Sequence, residues 1–223
     1  MTETQNVKVA IVDFGLGNLF SVKRACEQVG LTAFITGDKT ELLNADAAVL
    51  PGVGAFGDAM ANLEQLDMIS PIKDFIDSGK PLMGICLGMQ LLMSESEEFG
   101  SNKGLDIIKG SVVKFPGRGE DGRMIKVPQV GWNQIHKPEH SSEKIWSGSP
   151  LKGFNDGEFM YFVHSFYTVP DSYDVVLTQT SYTGIDYCSG LQYKNVFACQ
   201  FHPEKSAVKG IQIYSNWATM IQK

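Results

Sequence analysis

The sequence predicts an α/β fold: a mostly parallel central sheet flanked by helices, with an additional antiparallel β-rich portion in the second half. Three observations lead there. Up to Gly104, short apolar runs alternate with helical patterns, the alternation that joins parallel strands by helical crossovers. Those apolar runs end in glycine-bearing segments, as strands do where they hand over to a loop. Beyond Gly104 the texture changes to short β-rich runs with no helical pattern between them.

Val7-Lys8-Val9-Ala10-Ile11-Val12 reads as a buried strand, followed by the tight loop Asp13-Phe14-Gly15-Leu16-Gly17-Asn18 and a helix from Leu19 to Val29 that stops at Gly30. A shorter apolar run spans Thr32 to Thr36, and Asp46 to Leu50 is a strand that ends in Pro51-Gly52-Val53-Gly54. Helices are expected over Ala59 to Leu66 and Ile69 to Ser78, the latter closed by Gly79. In the second half the candidate strands are 110–115, 161–163, 174–180, 190–193 and 196–200, mostly antiparallel, before a closing helix from about Ala207 to Ile221. The polar stretch Pro116 to Arg123 reads as a mobile turn and Pro138 to Pro150 as a surface excursion. With no repeat and no low-complexity linker, residues 1–223 are expected to form a single domain.

Composition excludes several classes. No apolar run approaches the ~20 residues of a membrane span. A net charge of −6 offers no global attraction to nucleic acid. The locally basic segment with Lys103, Lys109, Lys114, Arg118, Arg123 and Lys126 reads as a solvated loop surface. The polar start Met1 to Asn6 has neither the basic flank nor the apolar stretch of an export signal. Four cysteines without C-x-x-C spacing point to free thiols in a reducing cytoplasm, with no disulfide framework and no metal site. Gly15-x-Gly17 lacks the third glycine of a dinucleotide fingerprint, and no cofactor is expected.

The chemistry gathers at strand ends, where open α/β sheets keep their sites. Cys86 lies in Gly84-Ile85-Cys86-Leu87-Gly88, between an apolar strand and an apolar helix, which is a nucleophile elbow. The glycines allow a sharp turn and close approach of a carbonyl, and the starting helix favours the thiolate. Cys26, Cys188 and Cys199 read instead as small buried hydrophobes. Of the four histidines, His136 and His140 read as solvated and His164 as buried and structural. His202, in Gln200-Phe201-His202-Pro203-Glu204, again follows a strand and precedes a helix. If the backbone stays extended through Pro203, His202 and Glu204 leave on one side, giving the triad Cys86, His202, Glu204. Leu87 N–H is one candidate oxyanion donor, and the glycine-flanked Pro51-Gly52-Val53-Gly54 segment offers a second.

Three segments together, Pro51-Gly52-Val53-Gly54, Gly84-Ile85-Cys86-Leu87-Gly88-Met89-Gln90 and Phe201-His202-Pro203-Glu204-Lys205-Ser206, resemble the class I (triad-type) glutamine amidotransferases, whose fold is flavodoxin-like. Within that class the chain is most similar to the glutaminase subunits of imidazole glycerol phosphate synthase, a resemblance also carried by Asp13 to Asn18, Ser96-Glu97-Glu98, Gly131-Trp132-Asn133 and Tyr161 to Ser165. The resemblance implies that Cys86 attacks the amide of L-glutamine, that His202 passes the proton to ammonia, and that Val53 and Leu87 supply the oxyanion N–H groups. It assigns Gly52, Gly54, Gln90, Glu98, Ser165 and Phe166 to glutamine binding and Lys205 to the contact with a (β/α)₈-barrel synthase subunit, the partner in a heterodimer. Ammonia would pass to that partner to make imidazole glycerol phosphate and AICAR in histidine biosynthesis. It also implies weak activity in the lone chain, with the Gly52–Gly54 segment as the element that the partner aligns. Where such subunits read Pro-His-Met-Gly-Trp-Asn, this chain has Pro128-Gln129-Val130-Gly131-Trp132-Asn133, which leaves open a paralogue serving surface-sugar synthesis. A non-catalytic regulatory subunit on the same fold is the other alternative.

Overall fold

The computed structural model describes residues 7–119, 122, 124–139 and 141–222. The first half runs β1 (Lys8–Val12), α1 (Leu19–Gln28), β2 (Thr32–Thr36), α2 (Lys39–Asn44), β3 (Ala47–Gly52), α3 (Phe56–Gln65), α4 (Ile69–Asp77), β4 (Leu82–Cys86) and α5 (Leu87–Leu91). Then follow β5 (Met93–Ser96), β6 (Asn102–Lys103), β7 (Ile108–Lys114), β8 (Gln129–Ile135), β9 (Glu158–His164), β10 (Phe166–Pro170), β11 (Val176–Tyr182), β12 (Ile185–Tyr193), β13 (Val196–Cys199) and α6 (Ala207–Ile221). Eleven strands form one sheet in the order β2-β1-β3-β4-β13-β12-β10-β7-β5-β6, with β11 on β12, and β8 pairs with β9 apart from it.

The parallel centre is apolar on both faces because helices cover both. Ile11, Val49, Met83 and Phe197 pack with Val22 and Cys26 of α1 and Ile213, Tyr214 and Trp217 of α6. Ala10, Val12, Leu50, Leu82 and Ala198 face the opposite layer, with Leu63, Ile72 and Phe75 of α3 and α4. This is why β1, β3 and β4 read as continuous apolar runs in the sequence rather than as alternating ones.

The second half is mostly antiparallel, as expected, with a consequential exception: β13 runs parallel to β4, with Cys199 beside Ile85. It therefore sits at the centre of the sheet and delivers the segment after it to the same edge as Cys86. Several elements went unrecognised in the sequence. α2 is short and is capped by Asp38, whose side chain accepts from Thr40 and Glu41 N–H, a signal that was legible there. β8 and β10 lie half-exposed and mix polar with aromatic residues, so neither gives an apolar run. The 138–150 excursion is anchored as well: Trp146 is buried and its indole donates to Leu177 O at 2.8 Å. Glu120, Asp121 and Arg123 of the expected mobile turn, His140 and the start Met1 to Asn6 lie outside the described residues.

Candidate active site

Cys86 ends β4 and turns the chain into α5 with φ 53° and ψ −109°. Positive φ at a residue carrying a side chain stores about 1–3 kcal/mol and persists only where the surroundings impose it. They do so here. A Cβ on Gly88 would lie 1.7 Å from Leu50 O, so glycine at that position lets α5 rest directly on β3. The division of labour differs from the sequence expectation, because Cys86 itself takes the strained turn and Gly88 supplies the close approach. The helix is also shorter than expected, five residues in α5. Its first N–H groups, beginning with Leu87, are the local donors at the elbow, with little macrodipole behind them.

The sulfur lies in a polar surround that sequence reasoning did not assign. Gln200 Nε2 donates to Cys86 Sγ at 3.5 Å, and Val163 O lies 3.9 Å from the same atom. Gln200 is fully buried, held from behind by Gln90 Nε2, which donates to Gln200 Oε1 and to Phe166 O, both at 3.0 Å. The available signal was a lone amide directly after the apolar run of β13.

His202 follows Gln200 at the neighbouring strand end. Its Nδ1 pairs with Glu204 Oε1 at 2.7 Å, and both side chains are 2% exposed. The pairing arises differently from the expected extended route: Pro203–Lys205 closes a 3₁₀ turn, which folds Glu204 back beneath the ring. Ser206 locks this turn, donating to His202 O at 2.7 Å while accepting from Tyr161 N–H at 3.0 Å. Burial works against a charged imidazole, but the negative Cys86 and its hydrogen bonding, followed by the Glu204 hydrogen bond and charge, outweigh it and raise His202 to about 10. Nε2 has no partner of strict hydrogen-bond geometry, so we read the Cys86 effect as attraction across a looser contact, one that a substrate tightens.

In front of the sulfur is a cavity of about 290 Å³, enough for a ligand of amino-acid size. Its wall includes Val53, Gly54, Cys86, Leu87, Gln90, Glu98, Ser165 and Phe166, with Pro128, Val163 and His164. Gly52 pairs with Cys86 in register and is buried behind that wall, as are His202 and Glu204. Lys205 is exposed, its ammonium 6.0 Å from the Tyr161 ring centroid. Glu98 reaches across the cavity rim to accept from Phe56 N–H at 2.6 Å, at the start of α3.

His164 is buried as expected, its Nδ1 2.8 Å from Phe166 O and its Nε2 3.2 Å from the Tyr187 hydroxyl. Burial pushes it down to about 4, helped by the positive His202 and opposed by the Phe166 carbonyl, so it is neutral at pH 7. The Tyr187 hydroxyl also donates to Gln129 Oε1 at 3.0 Å. Thus the departure at Gln129 keeps a buried polar partner for this tyrosine, while Val130 faces outward. His136 is half-exposed and pairs with Asp156 at 3.0 Å. Among the described residues no cluster of His, Cys, Asp and Glu side chains has the arrangement of a metal site, and no helix is long and apolar enough to cross a membrane.

A strained cysteine elbow backed by an imidazole–carboxylate pair, on a central parallel sheet, defines a class of protein. The class I glutamine amidotransferase family model matches residues 10–219, and the chain belongs to that family. Its relatives narrow the group further. The imidazole glycerol phosphate synthase subunit HisH of Geobacter metallireducens is 46% identical over 211 residues, covering 94% of this chain and 97% of that protein. The subunit of the same name from Aquifex aeolicus is 43% identical over 218 residues, covering 97% and 99% respectively. A solved glutamine amidotransferase superposes with a TM-score of 0.70 at 16% identity, covering 96% of this chain and 98% of that one. PurLQS from Thermotoga maritima gives 0.67 at 19%, covering 97% and 99%; both likenesses speak to the fold alone.

Proposed function

We propose that residues 1–223 form one glutamine amidotransferase domain that acts as the glutaminase subunit of an imidazole glycerol phosphate synthase. The observation that carries this is the convergence of Cys86 and the His202–Glu204 pair at adjacent strand ends beside a cavity of amino-acid size. Cys86 thiolate adds to the amide carbon of L-glutamine. The developing oxyanion takes N–H donors from Leu87 and Val53, and His202, already cationic, gives its proton to the departing ammonia. Water then attacks the glutamyl thioester, with His202 taking up its proton, and glutamate leaves. Glu204 holds the ring in the tautomer and orientation that both proton transfers need.

Glutamine recognition falls to the cavity wall. The Glu98 carboxylate is the one anionic group there and suits the substrate ammonium, while Gln90, Gly52, Gly54, Ser165 and Phe166 shape and line the rest. Ammonia set free in water is protonated and lost as a nucleophile, which favours transfer inside a complex. We place a (β/α)₈-barrel synthase subunit at the cavity mouth, where Lys205, Tyr161 and the exposed Trp132 form a cationic and aromatic patch, with Trp132 and Tyr161 stacked edge-on at 6.1 Å. There the ammonia would yield imidazole glycerol phosphate and AICAR. A cytoplasmic location fits free thiols and a pathway of small soluble metabolites. The named relatives favour this pathway over surface-sugar synthesis. Glutamine hydrolysis by the purified chain, with and without a barrel subunit, tests the reading: a large stimulation and its loss in Cys86→Ala are expected, and hydrolysis that survives Cys86→Ala would sink it.

A further inference from the structure

α6 packs directly against the turn that carries His202 and Glu204. Gly210 makes this contact possible, since a Cβ there would stand 1.8 Å from Pro203 O. Tyr214 follows four residues later on the same helix face, so it too is directed at this layer. It is fully buried, and its hydroxyl has no hydrogen-bond partner. The same holds for Glu204 Oε2, while Glu204 Oε1 is occupied by His202. The two unpaired atoms share one buried layer and have opposite needs, a donor and an acceptor. Buried polar atoms are paired with protein or with ordered water almost without exception.

We propose that Tyr214 is a positioning residue for the His202–Glu204 pair, its hydroxyl donating to Glu204 Oε2 across one bound water. The tyrosine is suited to that task. Burial first, and then the charges of Glu204, Cys26 and Cys199, hold the phenol well above its ordinary value, so it remains a protonated donor. The groups around the carboxylate are His202 on its own turn, Cys199 at the end of β13 and Tyr214 from α6, with Cys26 of α1 beside Tyr214 and Cys86 beyond the imidazole. Among these, the phenol is the donor on the side of Glu204 away from His202. A hydrogen bond to the charged carboxylate favours ionisation and fixes its plane, which in turn fixes the imidazole.

The inference rests on the glutaminase reading for its kinetic readout. In Tyr214→Phe the carboxylate loses that donor, so the acid limb of kcat/KM for glutamine hydrolysis is expected to move to higher pH by roughly half a unit or more. We expect kcat to fall about two- to tenfold with KM unchanged, the pattern of an effect on chemistry rather than binding. A fluorinated tyrosine at 214 keeps the packing and donates more strongly, so its acid limb should move the opposite way. That variant decides the question if Tyr214→Phe fails to fold. Profiles that superimpose on the wild type would overturn the proposal. A wild type that hydrolyses no glutamine would instead remove the glutaminase reading, and the pH dependence of Cys86 alkylation by iodoacetamide, which needs no substrate, would still test Tyr214 by the same direction of shift.

Discussion

Two cysteines stand at neighbouring strand ends and have opposite characters. Cys86 ends β4 and Cys199 ends β13, one strand over, and both are buried. Cys199 keeps ordinary extended geometry, its thiol directed at Phe201 O at 3.4 Å, and burial, with the nearby charges of Glu204 and Cys86, pushes it well above the usual thiol range. Cys86 turns at positive φ, opens onto a cavity and receives an N–H from Gln200. Burial is common to both. The difference lies in the backbone turn and in which neighbours can stabilise a negative sulfur.

The sharpest way to break this contrast is substitution at each end. Cys86→Ala should cost about 10⁴-fold or more in glutaminase turnover, since no other group can form the thioester. Cys199→Ala should leave kcat within a few-fold, measured in the same assay. A comparable loss from both would mean that the strand ends act as one unit. Next in size is Glu204→Gln, which removes the charge that orients His202 and is expected to lower kcat by roughly 10²–10⁴. An unchanged kcat would make Glu204 a structural residue.

Gln200→Leu probes the donor that only Cys86 possesses. Losing one charge-assisted hydrogen bond to the sulfur should reduce kcat/KM about tenfold and slow alkylation of Cys86. Cys199 should stay unlabelled until the protein unfolds. Equal alkylation rates in the variant and the wild type would remove Gln200 from the account of Cys86 reactivity.

The two buried histidines sharpen the contrast through stability. His202 is raised from 6.5 to about 10, so its ion pairing stabilises the fold fully below pH 6.5 and is lost as pH rises through about 10. His164 is lowered from 6.5 to about 4, so the unfolded chain binds the extra proton and stability falls as pH drops from 6.5 towards 4, by about 3 kcal/mol. Denaturant unfolding across pH should therefore show His202→Asn flattening the alkaline side and His164→Gln the acid side. The reverse assignment would contradict the charge states given to the two rings.

The parallel half of the fold was legible because strands buried on both faces read as uninterrupted apolar runs, and β1, β2, β3 and α4 fall within a residue or two of their expected bounds. Elements with one wet face were harder. β8 carries Trp132 and Asn133 without alternation, and α2 is too short to show a helical period. The Cys86 elbow was legible for the same reason as the sheet, namely an abrupt change of pattern flanked by glycines. Gln200 and Tyr214 were not, because a single polar residue in an apolar segment does not reveal what it faces.

By itself the sequence determined the residue types and the local turns: a cysteine between glycines, a His-Pro-Glu run, glycines where backbones must nearly touch. These depend on a few adjacent residues and on steric rules that act along the chain. Only the tertiary structure decided that β13 returns to the centre of the sheet alongside β4, which brings residues more than a hundred positions apart to one edge and buries Gln200 and Tyr214 against them. Strand order depends on how helices cover both faces of the whole sheet, and no local segment contains that information.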